Sequence, residues 1–367
     1  MLGYLAVPLS ILTTALSWGM YGVVLKWGSE EMAGSRLRSF ICVGLAYFLI
    51  AVLVPAVILR MQGEKGSWTT SGFLWSFIAG VLGALGALGI LLALTFKGSP
   101  IYVMPLVFGG APVINTFTSM FFARNFKVNP FFLAGMILVI AGAALVLVFQ
   151  PKITGAVKGP LLLEMWDWIK IIASITLTIV CWGAYGPTLH KGQMAMQGSR
   201  LRPLICVGLA YFLVAVVIPF MLIPLVDSTP SVAGGWTFGG FLWSFGAGAA
   251  GAIGALGIIL AFNYGGKPNY VMPLVFGGAP IVNTFFSLAT ASGTLEPVNP
   301  IFYSGLIMAI IGAVCVLVFA PKGGGPHGLP AAAPPPEFSA APAASHAVNP
   351  SAASGVVATA NPASTLE

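Results

Sequence analysis

Long apolar runs separated by short polar breaks dominate the chain. They fall at roughly 4–27, 37–60, 70–96, 100–123, 130–150, 168–189, 201–226, 239–264, 269–291 and 300–320. Each reaches the length of about 20 mostly apolar residues that carries an α-helix across a bilayer. The pattern predicts an all-α integral membrane protein with ten transmembrane helices. The breaks hold Gly, Ser and charged residues. The longest internal one, 151–167, carries Lys152, Lys158, Glu164 and Asp167 and reads as the joint between two halves. After Lys322 the character changes to Gly, Pro, Ala and Ser, as in Pro334-Pro335-Pro336. Residues 323–367 cannot bury enough apolar area to order and are expected to be disordered.

The chain repeats itself. Ser35-Arg36-Leu37-Arg38 recurs as Ser199-Arg200-Leu201-Arg202, each followed closely by Ile-Cys-Val-Gly-Leu-Ala-Tyr-Phe-Leu. The run YVMPLVFGGAP from Tyr102 to Pro112 recurs unchanged from Tyr270 to Pro280. Trp18-Gly19 and Tyr21-Gly22 match Trp182-Gly183 and Tyr185-Gly186, and Val128-Asn129-Pro130 matches Val298-Asn299-Pro300. The repeats divide the chain at 1–152 and 153–322. Each holds five predicted spans, an odd number, so the second half is expected to enter the membrane opposite to the first. Two inverted five-helix repeats are a recurrent plan of secondary transporters, with the substrate near the midplane between them.

Composition agrees with lipid as the solvent. Hydrophobic residues make up 58% and charged residues 7%, with a mean hydropathy of +0.96, whereas a soluble domain is about a quarter charged. The net charge of +7 is spread singly between apolar runs, as for loop ends at lipid headgroups and unlike a nucleic-acid-binding stripe. The expected partners are the bilayer and a small-molecule substrate, with no nucleic acid. A homodimer is an arrangement the sequence leaves open. With both termini cytoplasmic, Arg60, Lys65, Arg124, Lys127, Lys191, Arg200, Arg202, Lys267 and Lys322 fall inside and the other seven cations outside. Nine against seven favours that orientation by a small margin. Cys42, Cys181, Cys206 and Cys315 lie inside apolar runs without CxxC spacing and read as buried small hydrophobes. No metal or cofactor is expected.

The predicted spans contain no acid. Glu30, Glu31, Glu64, Glu164, Asp167, Asp227 and Glu296 fall in loops, and Glu337 and Glu367 in the tail. Ionisable groups inside membranes are costly and usually functional. Their absence counts against carboxylate proton relays, aspartyl proteolysis and organic-cation binding. No HExxH, Ser/His/Asp set or phosphate-cradling loop appears, so the chain is not expected to be an enzyme.

Candidate chemistry gathers in four places. Pro105 and Pro112 each remove a helical hydrogen bond and displace the carbonyl four residues earlier, and Pro273 and Pro280 repeat this. Gly109-Gly110 and Gly277-Gly278 allow bending beside them, which makes all eight hinge candidates. Pro112, Asn115 and Ser119 share one helix face, as do Pro280, Asn283 and Ser287, with Thr116 and Thr284 alongside. These amides and hydroxyls either face a polar solute or glue packed helices together. Trp18, about ten residues from the helix end, lies near the midplane, and Tyr21, Trp182 and Tyr185 complete two matching pairs. Their rings either stack on a sugar or aromatic solute or fill helix packing. Lys26 and His190 stand eight residues after Trp18 and Trp182. They either snorkel to headgroups or bind an anionic group, with His190 able to couple protons. Arg36, Arg38, Arg200 and Arg202 read mainly as headgroup anchors, with gating or anion attraction as the alternative.

Ten spans in two inverted halves, each closing with a Gly/Ala-rich helix such as Gly135 to Val148, resemble the EamA-like carriers of the drug/metabolite transporter superfamily over about residues 4–322. The WG-x-YG opening is similar to the sugar-transporting branch that includes the L-rhamnose–proton symporters. The resemblance implies a central cavity lined by the first, third and fourth helices of each half, and a place in a bacterial inner membrane. The glutamate of the small multidrug-resistance branch has no counterpart in residues 4–27. The expected function is a secondary carrier of a polar neutral or anionic metabolite, sugars favoured. A non-transporting membrane scaffold or receptor is the alternative.

Overall fold

In a computed structural model of the chain, the structure describes residues 2–32, 35–124, 129–149, 151, 153–154, 165–226, 235–264, 268–290, 294–295 and 297–319. The expected tail, 323–367, and most of the joint, including Lys152, Lys158 and Glu164, lie outside them. The helices are α1 (Leu2–Glu31), α2 (Arg36–Phe48, carried on by a π-helical turn at Leu49–Leu53 and an α-helical segment at Val54–Gln62), α3 (Thr70–Thr95), α4 (Pro100–Ala123) and α5 (Pro130–Val148). Next come α6 (Met165–Ala195), α7 (Leu201–Phe212, carried on by a π-helical turn at Leu213–Val217 and a segment at Ile218–Val226), α8 (Phe238–Asn263), α9 (Pro268–Ala289) and α10 (Pro300–Val318). The residue pairs Ile153–Thr154 (β1) and Thr294–Leu295 (β2) form a short antiparallel ladder.

Seven helices among the described residues are long and apolar enough to cross a membrane, and Pro130–Val146, Leu274–Ala289 and Pro300–Val316 are shorter apolar helices. The chain is an α-helical membrane protein. Its helix starts follow from local chemistry. Asn129 and Asn299 each accept a hydrogen bond from the backbone two residues on, at 2.9 Å. The proline that follows each of them has no N–H to satisfy at the first helical position. Thr69 accepts from the Gly72 amide at 3.0 Å and starts α3 in the same way.

The π-helical turns were not foreseen from the sequence. Each lies just ahead of a proline, Pro55 in α2 and Pro219 in α7. A proline ring clashes with the carbonyl four residues back. The wider turn relieves this: the residue before each proline, Val54 or Ile218, donates five back, to Leu49 or Leu213. By contrast, α4 runs unbroken through Pro105 and Pro112.

Glycines decide which helices meet. Gly83, Gly86 and Gly89 on α3 form a groove that takes Tyr211, Trp182 and Thr178, and Gly251, Gly254 and Gly257 on α8 take Tyr47, Trp18 and Thr14. Thus α1 of the first half lies on α8 of the second, and α6 of the second on α3 of the first. Residues 1–324 form one compact unit, so the two sequence repeats are interlaced. Equivalent helices also meet each other, in reverse order. Gly135 of α5 faces Gly312 and Cys315 of α10, while Gly142 faces Gly305 and Ala309. Gly44 of α2 faces Ala215 and Val216 of α7, while Gly208 of α7 faces Ala51 and Val52 of α2.

Substitutions at these glycines should differ by what surrounds them. A Cβ on Gly142 would meet the backbone of α10, including Gly305 O at 2.6 Å, whereas one on Gly109 would clear Val139 by 3.7 Å. Gly142→Ala is expected to cost about 1–3 kcal/mol through overpacking, and Gly109→Ala to change stability by less than about 0.5 kcal/mol. Thermal unfolding of the two variants in detergent checks this, and equal losses would contradict it.

Candidate functional site

Aromatic rings from both halves meet in the middle of the bundle. Trp18 stacks against Phe108 with ring centroids 6.5 Å apart and an 18° interplanar angle, and meets Phe276 edge-on at 6.4 Å. Phe108 lies 6.3 Å from Phe276 and 6.5 Å from Trp182, and Trp182 meets Tyr21 at 6.2 Å. Tyr47 and Tyr211, matching residues of α2 and α7, stack nearly parallel at 3.8 Å. Tyr185 packs half-buried against the same core. The sequence marked Trp18, Tyr21, Trp182 and Tyr185 and missed Tyr47, Tyr211, Phe108 and Phe276. The missed four all lie in the repeated stretches, which was the available signal.

The indole nitrogens are committed. Trp18 Nε1 donates to Gly251 O and Trp182 Nε1 to Gly83 O, each at 3.1 Å. Beside them Thr14 and Thr178 donate to Gly254 O and Gly86 O, each at 3.0 Å. The tryptophans therefore serve helix packing. One edge of each ring pins two helices together, and both rings are half-buried. In lipid no water can stand in for these acceptors.

The polar faces of α4 and α9 differ, although their sequences match. In α9, Asn283 is fully buried and donates Nδ2–H to the Pro100 carbonyl at 2.8 Å. Asn283 Oδ1, Thr284 Oγ1 and Ser287 Oγ are buried without a partner among the described residues. In α4, Asn115 and Ser119 are half-buried, and Thr116 donates to the Pro112 carbonyl at 3.0 Å. The Asn115 amide lies over Gly186, where a Cβ would stand 2.9 Å from Nδ2. Among the described residues Asn115 finds no carbonyl partner corresponding to Pro100. The asymmetry extends along both helices: Leu106 is 9% exposed but its match Leu274 is 55% exposed, and Phe108 is buried where Phe276 is half-buried.

The hinge candidates have different surroundings. Pro105, Gly109 and Pro280 line a narrow apolar crevice with Phe276 and α10. Gly110 closes on Ile179, Gly277 on Ile310 and Gly278 on Ala15. Pro112 is buried in α4, and the side chain of Pro273 lies outside the described residues. Lys26 and His190 are not brought to the aromatic centre. Lys26 pairs with Glu30 at 3.6 Å and His190 is exposed, each about 12 Å along the helix from its tryptophan.

Two cations correct the headgroup-anchor expectation. Arg38 is 1% exposed. Arg202 donates to the carbonyls of Glu64 and Lys65 and to Ser199 Oγ, at 3.4, 3.3 and 3.1 Å. The Glu64 carboxylate in turn accepts from Ser199 Oγ at 2.6 Å and from the amides of Arg200 and Leu201 at 2.8 and 3.3 Å. A carboxylate from the first half thus caps α7 of the second, satisfying helix-start donors.

No family model and no curated protein matches the chain. A solved protein described only as a crystal structure of a protein is similar in fold, with a TM-score of 0.51 and 16% identity over 86% of this chain and 96% of its own. That likeness concerns the fold alone.

The double role of the indoles can be measured. Trp18→Phe keeps an aromatic face beside Phe108 and removes the donor to Gly251. It should cost about 1 kcal/mol in thermal unfolding, with Trp18→Leu costing more because the ring contacts go too. A Phe variant as stable as the parent would contradict the pinning role.

Proposed function

We propose that the chain is a secondary carrier that moves a polar, neutral small molecule, with sugars favoured, by alternating access between two oppositely inserted halves. The observation that carries this reading is the unequal state of matching positions: Asn283 is buried and bonded at one end of the α4–α9 pair, while Asn115 is half-exposed at the other. A static scaffold built from repeats has no reason to place matching residues differently. A carrier caught closed at one end and accessible from the other does. The reversed meetings of α5 with α10 and of α2 with α7 fit a two-fold relation across the membrane plane, the geometry that lets the halves exchange conformations.

The centre suits a hydroxyl-rich solute. The half-buried Trp18 and Trp182 rings supply aromatic surface at the centre, and the α9 oxygens without a partner among the described residues can accept hydrogen bonds, with the Thr284 and Ser287 hydroxyls also able to donate. Lys26 and His190 stand apart from the centre, which favours a neutral solute over an anionic one. With the termini cytoplasmic, the Pro100 end faces outward, so the state described is closed to the outside.

Purified protein in detergent should be stabilised by its substrate when screened against sugars, amino acids, carboxylates and nucleotides. A ligand at a hundredfold excess over its Kd raises stability by about 2.7 kcal/mol. The same compound should be taken up by liposomes containing the protein and not by empty ones. Binding without uptake would overturn the carrier reading in favour of a receptor, and neither effect across all classes would favour a scaffold.

A further inference from the structure

We propose that Asn283 and Asn115 are alternating latches: the Asn283 amide on the Pro100 carbonyl locks one end shut, and Asn115 on the Pro268 carbonyl locks the other in the opposite state. The proposal rests on the carrier reading and adds the device that holds each state. Asn283 stands three residues beyond Pro280, and Asn115 three beyond Pro112, each just after the run YVMPLVFGGAP that α4 and α9 share. Pro100 and Pro268 open α4 and α9. Because α4 and α9 meet near Gly109 and Phe276 and run in opposite directions, each helix start lies toward the asparagine of its partner. One of the two bonds is made, at 2.8 Å.

The neighbourhood of each asparagine follows the same division. At the latched end Ile101, Tyr102, Val103 and Met104 are all buried, and Met104 presses on Gly22, with a Cβ there 2.7 Å from its Cγ. The ladder of β1 and β2, between the connectors that follow α5 and α9, belongs to that end, as does Lys97 on Asp167 at 2.9 Å. At the other end Gly186, the match of Gly22, has the Asn115 amide over it. Thr116 turns its hydroxyl back to Pro112 O, while its match Thr284 has no partner among the described residues. An amide at membrane depth without an acceptor is costly, so each state has reason to satisfy one asparagine. A carbonyl at a helix start is a suitable acceptor on geometric grounds. It lies at the edge of the helix and keeps a lone pair beyond its intrahelical bond.

The latch predicts opposite effects from two equivalent substitutions. In a cysteine-free background, Ser287→Cys reports on the Pro100 end and Ser119→Cys on the other, by labelling with a membrane-impermeant maleimide under conditions slow enough to report populations. Asn283→Leu should speed labelling at position 287 by about tenfold, near the upper range of one buried neutral hydrogen bond, and slow it at 119. Asn115→Leu should slow labelling at 287 and leave 119 open. Asn283→Ser, too short to reach the Pro100 carbonyl, repeats the first result if the Leu variant inserts poorly. Shifts of the same sign in both variants, or no shift in either, would overturn the latch. Labelling needs no substrate, so uptake with unmoved labelling overturns the latch alone, and reciprocal labelling without uptake supports it while counting against the carrier.

Discussion

An indole N–H near the middle of a membrane must find its acceptor inside the protein, because lipid offers none. Trp18 and Trp182 find theirs on the backbone of a helix from the opposite half. They reach it only because glycines at 83, 86, 251 and 254 leave the backbone bare. That requirement seats α1 on α8 and α6 on α3 and so weaves the two halves into one body. The threonines one turn away repeat the contact, and the stacked Tyr47 and Tyr211 fill the same grooves from the other side. Much of the centre hangs on these paired seams.

The seams are equal in the two halves, and the α4–α9 pair is not. Matching bonds of the tryptophans and threonines agree in length. Matching residues of α4 and α9 differ in burial and bonding. Under the proposed carrier function, a symmetric frame around an unequal pair is what a fixed scaffold with a moving gate would give. The π-helical turns at Leu49–Leu53 and Leu213–Val217 add a second place where the helices depart from regular geometry, and such turns recur at functional sites.

The helical membrane character was legible because the apolar runs have spanning length. The repeats were legible because identical strings survive in both halves, and they drew attention to Trp18 and Trp182, which bond across the halves, and to Asn283, which bonds to Pro100. What periodicity could not show was the exchange of partners. Nothing in the string Gly83-Ala84-Leu85-Gly86 says that its groove belongs to Trp182. Nor did periodicity show which prolines would widen a turn. Pro105 and Pro112 stay within a continuous helix, while Pro55 and Pro219, unremarkable in the sequence, are the ones that widen a turn. Arg38 and Arg202 looked like headgroup anchors because each follows a polar break, yet Arg38 is buried and Arg202 is turned onto the Glu64 and Lys65 carbonyls at a helix start.

The most direct test of the account is the orientation of its two halves. Glu30 and Gln197 are exposed residues at the ends of the matching helices α1 and α6. Cysteines placed at these two positions, one at a time in a cysteine-free background, can be labelled in sealed vesicles with an impermeant reagent. Labelling from opposite sides of the membrane is the predicted result. Labelling of both from the same side would contradict the inverted arrangement and, with it, the exchange of states between the halves.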